Sequence, residues 1–189
     1  NRIARGFWKN CGSFSSLKNM FLFGHTGLAV GTAHWINKKF KKKIDLRYVA
    51  LMSMSADLID KPLGLSSPEF FRFNTRLIGH NLFAIVFAVS LLLAFSRRRS
   101  AIMLYALFYC SHLLLDQMWI KSPDIFYFPF GGPVQWHEPD LVRRWTDVLK
   151  TPYTLGGEVL GFSILCYLLG KYQLYRAKNY SNFIKTGTL

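Results

Sequence analysis

One apolar run constrains this chain more than any other. Residues Ala101 to Ile120 are long enough, as a helix, to cross a bilayer, yet they carry His112 and Asp116. Four positions apart on a helix, an imidazole and a carboxylate share one face, one turn apart. Ionisable groups in an apolar helix are costly unless they pair or bind something, so they mark function. The pair reads either as part of an ion site or as a His–Asp hydrogen bond that locks two helices together.

The surrounding sequence defines the setting. With 189 residues there is room for one domain, and 51% hydrophobic residues with 17 Phe is high for a soluble protein. The apolar runs fall at roughly 20–36, 46–60, 77–96, 101–120 and 155–171. They predict an all-α integral membrane bundle of about five spans. The stretch from residue 77 to Phe95 is the clearest membrane signal, and Pro62 is expected to help end the second helix. A net charge of +14 invites a nucleic-acid reading, but the charge comes in short blocks between apolar runs: Lys38-Lys39, Lys41 to Lys43 and Arg97 to Arg99. That pattern fits loops beside an anionic leaflet rather than a groove-reading face, so no nucleic acid is expected as a partner. Cys11, Cys110 and Cys166 form no CxxC, and their odd number indicates neither a disulfide framework nor a zinc knuckle.

Residues 121–152 form the longest connection, with Phe126-Tyr-Phe-Pro-Phe130-Gly-Gly-Pro133 followed by Trp136-His137-Glu138. Aromatic and broken by Pro and Gly, the stretch predicts an interfacial lid or re-entrant loop rather than a span.

Alternating the direction of the five runs sorts the ionisable residues. His25 opens the first run, Asp57 and Asp60 close the second, and His80 opens the third. His112 and Asp116 lie toward the end of the fourth, and Glu158 opens the fifth. All fall on one side of the membrane, together with the loop that carries His137; independent placement would scatter them. Histidine with Asp and Glu is a ligand set that zinc accepts, and several carboxylates allow a bridged cluster. Each residue also has a simpler reading. His25 can pack between helices, as His34 does at the opposite end of its run. Asp60 can cap a helix or pair with Lys61, Glu158 can complement its helix N-terminus, and His137 can be an exposed loop histidine. The basic blocks and the basic tail place the cluster on the extracytoplasmic face by the positive-inside rule.

Several motifs resemble one family. Gly24-His25, Asp57-Leu-Ile-Asp60-Lys-Pro-Leu-Gly64, Arg76-Leu-Ile-Gly-His80, Ser111-His112-Leu-Leu-Leu-Asp116 and Phe128-Pro-Phe-Gly131 look like the YdjM family of membrane-bound, metal-dependent hydrolases. They occur in family order over residues 24–131. The family is similar, more remotely, to the zinc-dependent phospholipase C enzymes. The resemblance implies that His25, Asp57, His80, His112 and Asp116 are metal ligands; Asp60, His137 and Glu158 stand as further candidates. The chain departs from the pattern at Ala56, where Pro is usual, at Thr75, where many members have His, and at Asn81, where Ser or Thr is usual. These changes leave the five ligand positions intact.

The expected function is therefore metal-assisted hydrolysis in a cell membrane by a multi-pass protein. The expected cofactor is a divalent metal, zinc first, at roughly one to three ions per chain. Asp57 is the candidate bridging ligand or general base. Arg76 can pair bidentately with a phosphate or form a structural ion pair. A membrane lipid or lipid-linked phosphoester is the favoured substrate. A different class, a non-catalytic metal-stapled scaffold or partner-binding protein, would use the same ligands without an open coordination position.

Overall fold

The computed structural model describes residues 22–67, 76–134, 146 and 151–189, and among these every regular element is helical. In chain order they are α1 (Leu22–Phe40), α2 (Leu46–Ser66), a 3-10 turn (Ile78–His80), α3 (Leu82–Phe95), α4 (Arg99–Asp116), α5 (Met118–Lys121), α6 (Pro123–Phe126), α7 (Pro152–Lys171) and α8 (Ala177–Thr186). The all-helical expectation is met. Of these helices, α7 is both long and apolar enough to cross a membrane, and α3 is a shorter apolar helix.

Local chemistry sets the boundaries. Asp45 caps α2 by accepting the Arg47 amide at 3.0 Å, and Asn81 caps α3 by accepting the Ala84 amide at 2.8 Å. The lysine block between α1 and α2 is closed by Asn37, whose side chain exchanges two hydrogen bonds with the Ile44 backbone at 2.8 and 2.9 Å. Several boundaries differ from the sequence expectation. Pro62 does not end α2, which continues to Ser66. Proline removes the bond that its own N–H would make to the Leu58 carbonyl and crowds that carbonyl, a local cost that α2 carries for one more turn. The fourth run is not one helix to Ile120: it stops at Asp116, where Gln117 turns into the left-handed region at φ 54°.

Packing centres on α1, which lies against α7 and α2, while α2 also packs on α4 and on the 3-10 turn. The α1–α7 contact is backbone to backbone, and a Cβ on Gly27 would overlap the Gly161 carbonyl. Small residues that let helices approach this closely are typical of membrane bundles. The main core gathers Ala29, Val30, Ala33, Ile44, Leu46, Val49, Phe108 and Leu168, away from the histidine end of the helices. A smaller cluster of Leu113, Met118, Ile125 and Phe126 lies under the aromatic loop.

Helix α3 inverts the usual pattern. It is apolar all round, yet every one of its residues is at least partly exposed, with Phe95 84% accessible. A helix of this kind needs a non-aqueous surrounding rather than water.

Candidate metal centre

Four elements converge at one end of the bundle. The first turn of α1 supplies His25, the second half of α2 supplies Asp57 and Asp60, and the 3-10 turn supplies His80. The last turn of α4 supplies His112 and Asp116. The three imidazoles and Asp60 are at most 1% exposed, Asp116 2% and Asp57 8%. Gly79 brings His80 to the site, because a Cβ there would meet the Ala56 backbone at 2.8–3.3 Å. The turn can therefore lie directly on α2.

The geometry fixes the ring protons. His112 directs Nδ1 at the Ser53 carbonyl at 2.8 Å, and a carbonyl only accepts, so Nδ1 carries the proton. His80 directs Nδ1 at Asp60 Oδ2 at 2.8 Å. The Asp60 carboxylate already accepts the amides of Leu77, Gly79 and His80 at 2.6–3.2 Å, so this Nδ1 donates too. In a neutral ring so oriented Nε2 is a lone pair, and the two Nε2 atoms face each other at 3.3 Å. Something positive must lie between them, either a proton on one ring or a metal ion.

The groups around them are anionic. Asp57 Oδ1 lies 3.8 Å from His80 Nε2 and 3.9 Å from His112 Nε2, and Asp116 Oδ2 lies 4.0 Å from His80 Nε2. Asp116 Oδ1 meets His25 Nε2 at 3.2 Å, and the His25 ring stacks on His112 with centroids 3.9 Å apart. His25 Nδ1 is buried without a partner. Two ligand sets result, His25/His112/Asp116 and Asp57/His80/His112, which share His112. Nitrogen and carboxylate donors, facing lone pairs and an orphaned ring nitrogen fit a divalent cation.

Two cations hold the outer sides of the carboxylates. Lys61 donates to Asp57 Oδ2 at 2.6 Å, the i,i+4 partner across one helical turn. Arg76 Nη2 donates to Asp116 Oδ2 at 3.1 Å. Asp116 ends α4, where the helix dipole disfavours a carboxylate, so Arg76 and His25 compensate it.

His25, Asp57, His80, His112 and Asp116 thus fall into two ligand groups joined at His112. Asp60 stands behind His80 and orients it. Glu158 is in neither ligand group; it caps α1 through the amides of Phe23 and Gly24 at 3.0 and 2.9 Å, beside His25, and so complements the N-terminus of a neighbouring helix. His34 bonds the Tyr172 hydroxyl at the far end of α1. His137 lies outside the described residues. Sequence reasoning missed Lys61 as part of the site, weighing it only as one possible partner for Asp60; the i,i+4 spacing to Asp57 was the available signal. It also missed Asn81 as a clasp. Besides capping α3, Asn81 donates to the carbonyls of Ile125 and Phe128 at 3.0 and 2.9 Å, which ties the aromatic loop to the residue beside His80.

An all-helical protein with a membrane-capable helix and a buried His/Asp cluster that could hold a metal ion is the class that this geometry defines. The chain belongs to the YdjM inner membrane protein family, whose sequence model matches residues 20–177. No curated protein and no solved structure matches it. The family and α7 together mark a membrane protein.

Proposed function

We infer that this chain is a multi-pass, membrane-bound, metal-dependent hydrolase that acts on a phosphoester of a lipid-like substrate. The observation that carries the reading is the pair of Nε2 lone pairs of His80 and His112 at 3.3 Å, with carboxylates on either side. A lone proton would satisfy the rings, but it would not account for Asp57 and Asp116 turned toward the same point. His25, Asp57, His80, His112 and Asp116 would hold the ion, zinc by the donor set. A bound divalent cation supplies Lewis acidity, polarising a phosphoryl oxygen and acidifying water.

The rest is work for the chain's own atoms. Asp57 presents Oδ1 to the cluster while Lys61 holds Oδ2, so Oδ1 is the atom to accept a proton from an attacking water. Arg76 is the guanidinium for a substrate phosphate. Phe128 and Phe130, 51% and 79% exposed on the loop that Asn81 clasps, offer an apolar entrance to a lipid tail from the bilayer. About five spans, with the basic blocks cytoplasmic, put the centre at the extracytoplasmic face.

The test begins with metal. Purified protein should carry roughly one to three zinc-like ions per chain, and His112→Ala should lose most of them. Wild type incubated with total membrane lipids should release a head group, stop with chelator, and resume with zinc or manganese; Asp116→Asn should release none. Full metal occupancy in His112→Ala would refute the centre. Identical lipid profiles from wild type and Asp116→Asn, with metal bound in wild type, would leave the scaffold reading.

A further inference from the structure

Charge at the end of the bundle opposite the metal centre is nearly all of one sign. Residues 34–48, 96–105 and 168–189 hold thirteen Lys and Arg and one acidic residue, Asp45, which is engaged by Arg47 and the α2 N-terminus. Contacts between elements bring these segments together. His34 bonds Tyr172, the Asp45 amide meets the Tyr105 hydroxyl at 3.3 Å, and the Leu46 amide donates to the Gly187 carbonyl at 2.8 Å. A surface of this sign attracts an anionic partner.

Helix α8 gives that surface an apolar stripe as well. The chain leaves α7 through Gln173, in the left-handed region at φ 50°, so α8 does not prolong α7. Asn179 donates to the carbonyls of Tyr172 and Gln173 at 3.2 and 3.3 Å, Phe183 packs on the main core, and Arg47 donates to the Ile184 carbonyl. These contacts turn the Asn179/Phe183 side inward. Helical spacing sets the rest: Tyr180 and Ile184, four apart, form the next stripe, and Lys178 and Lys185, seven apart, the one beyond. Tyr180 and Ile184 are 55% and 46% exposed, and both lysines are exposed. An apolar stripe beside a lysine stripe, on a helix that is polar overall, is the pattern of a helix lying in a membrane interface. The α1–α2 corner repeats that chemistry, with Trp35 and Phe40 exposed and Lys39 Nζ 4.6 Å from the Trp35 ring centre. Residues 172–176 are all that separates α8 from α7, the membrane-capable helix, so the surface of a bilayer that α7 crosses is within reach. We propose that α8 is an interfacial helix that docks this end of the bundle on anionic phospholipid head groups. Tyr180 and Ile184 enter the outermost acyl region, while Lys178 and Lys185 extend to the phosphates. The proposal is independent of the metal centre.

The test follows hydrogen exchange of the α8 amides in the full chain, held singly in nanodiscs of phosphatidylcholine or of an equimolar mixture with phosphatidylglycerol. Anionic lipid should slow that exchange about tenfold relative to neutral lipid, and high salt should erode the difference. Lys178→Gln/Lys185→Gln should abolish the difference, and Lys178→Arg/Lys185→Arg, which keeps the charge, should retain it. Both positions are exposed, and Gln and Arg are good helix formers, so both variants should fold. Ile184→Ser should speed exchange in both lipids, because it removes the apolar anchor. A helix held only by its own packing exchanges alike in the two lipids, and that result overturns the proposal. Protection that appears only with two chains in one disc, whatever the lipid, assigns the face to a second copy and overturns it too.

Discussion

Four donors converge on the Asp60 carboxylate: the amides of Leu77, Gly79 and His80, and ring Nδ1 of His80. This one side chain holds the 3-10 turn against α2 and sets which His80 nitrogen faces the cluster. Asp60→Ala should therefore cost about 3 kcal/mol or more of stability, since buried N–H groups lose a charged acceptor. It should also lower zinc affinity about 10- to 100-fold, the usual effect of removing the group behind a ligand. Thermal melts and chelator competition check the two separately; unchanged zinc affinity would show that His80 needs no such support. The sequence made some of this legible. His112 and Asp116 announce themselves because helical spacing alone puts them on one face. The role of Asp60 could not be read, because its partners lie 17–20 positions away across a turn that no periodicity predicts.

At the scale of elements, the tightest joint is α1 against α7. Gly27→Leu would drive a side chain into the Gly161 backbone and should abolish folded protein in detergent. Gly170→Ala, also in α7 but with nothing within 4 Å of the new methyl, should stabilise by about 0.5–1 kcal/mol. The contrast is read by melting temperature, and equal effects would refute the crossing. At the basic end, Asp45 caps α2 while its neighbour Arg47 donates to Asp45 and to the Ile184 carbonyl of α8. The Arg47 guanidinium holds the Asp45 carboxyl below its ordinary range. The folded-state value lies below the unfolded one, so the contribution is full above the carboxylate range and is lost as pH falls through it. Asp45→Ala should cost about 1 kcal/mol near neutral pH and nearly nothing in strong acid, measured by melts across pH. Whereas α8 is short and polar and was not legible, helices α1, α2, α3, α4 and α7 were legible as apolar runs. Their ends were less so: Pro62 is carried inside α2, and Gln117 breaks α4 in a left-handed turn although it is not glycine. Both outcomes depend on tertiary contacts rather than on local preference.

For the whole molecule, the number of crossings decides the remaining questions. Pairing a reporter inserted at Ser96–Arg97 with one in the 121–152 loop separates the cases. Five crossings put the two on opposite sides, whereas α7 as the lone crossing puts them on the same side. The sequence suggested a third span of ordinary length, but residues 77–81 form a turn and a cap, leaving α3 with 14 residues. At 1.5 Å per residue that is about 21 Å of helix, against a hydrocarbon layer of about 30 Å. A bilayer that accommodates α3 has to dimple at this face, at an elastic cost that grows with each ångström of mismatch. His80 stands one residue before the cap of α3, so the dimple would draw lipid phosphates down toward the histidine end of the bundle. On the hydrolase reading, host-membrane thickness would then control catalysis, and turnover in nanodiscs should rise as acyl chains are shortened.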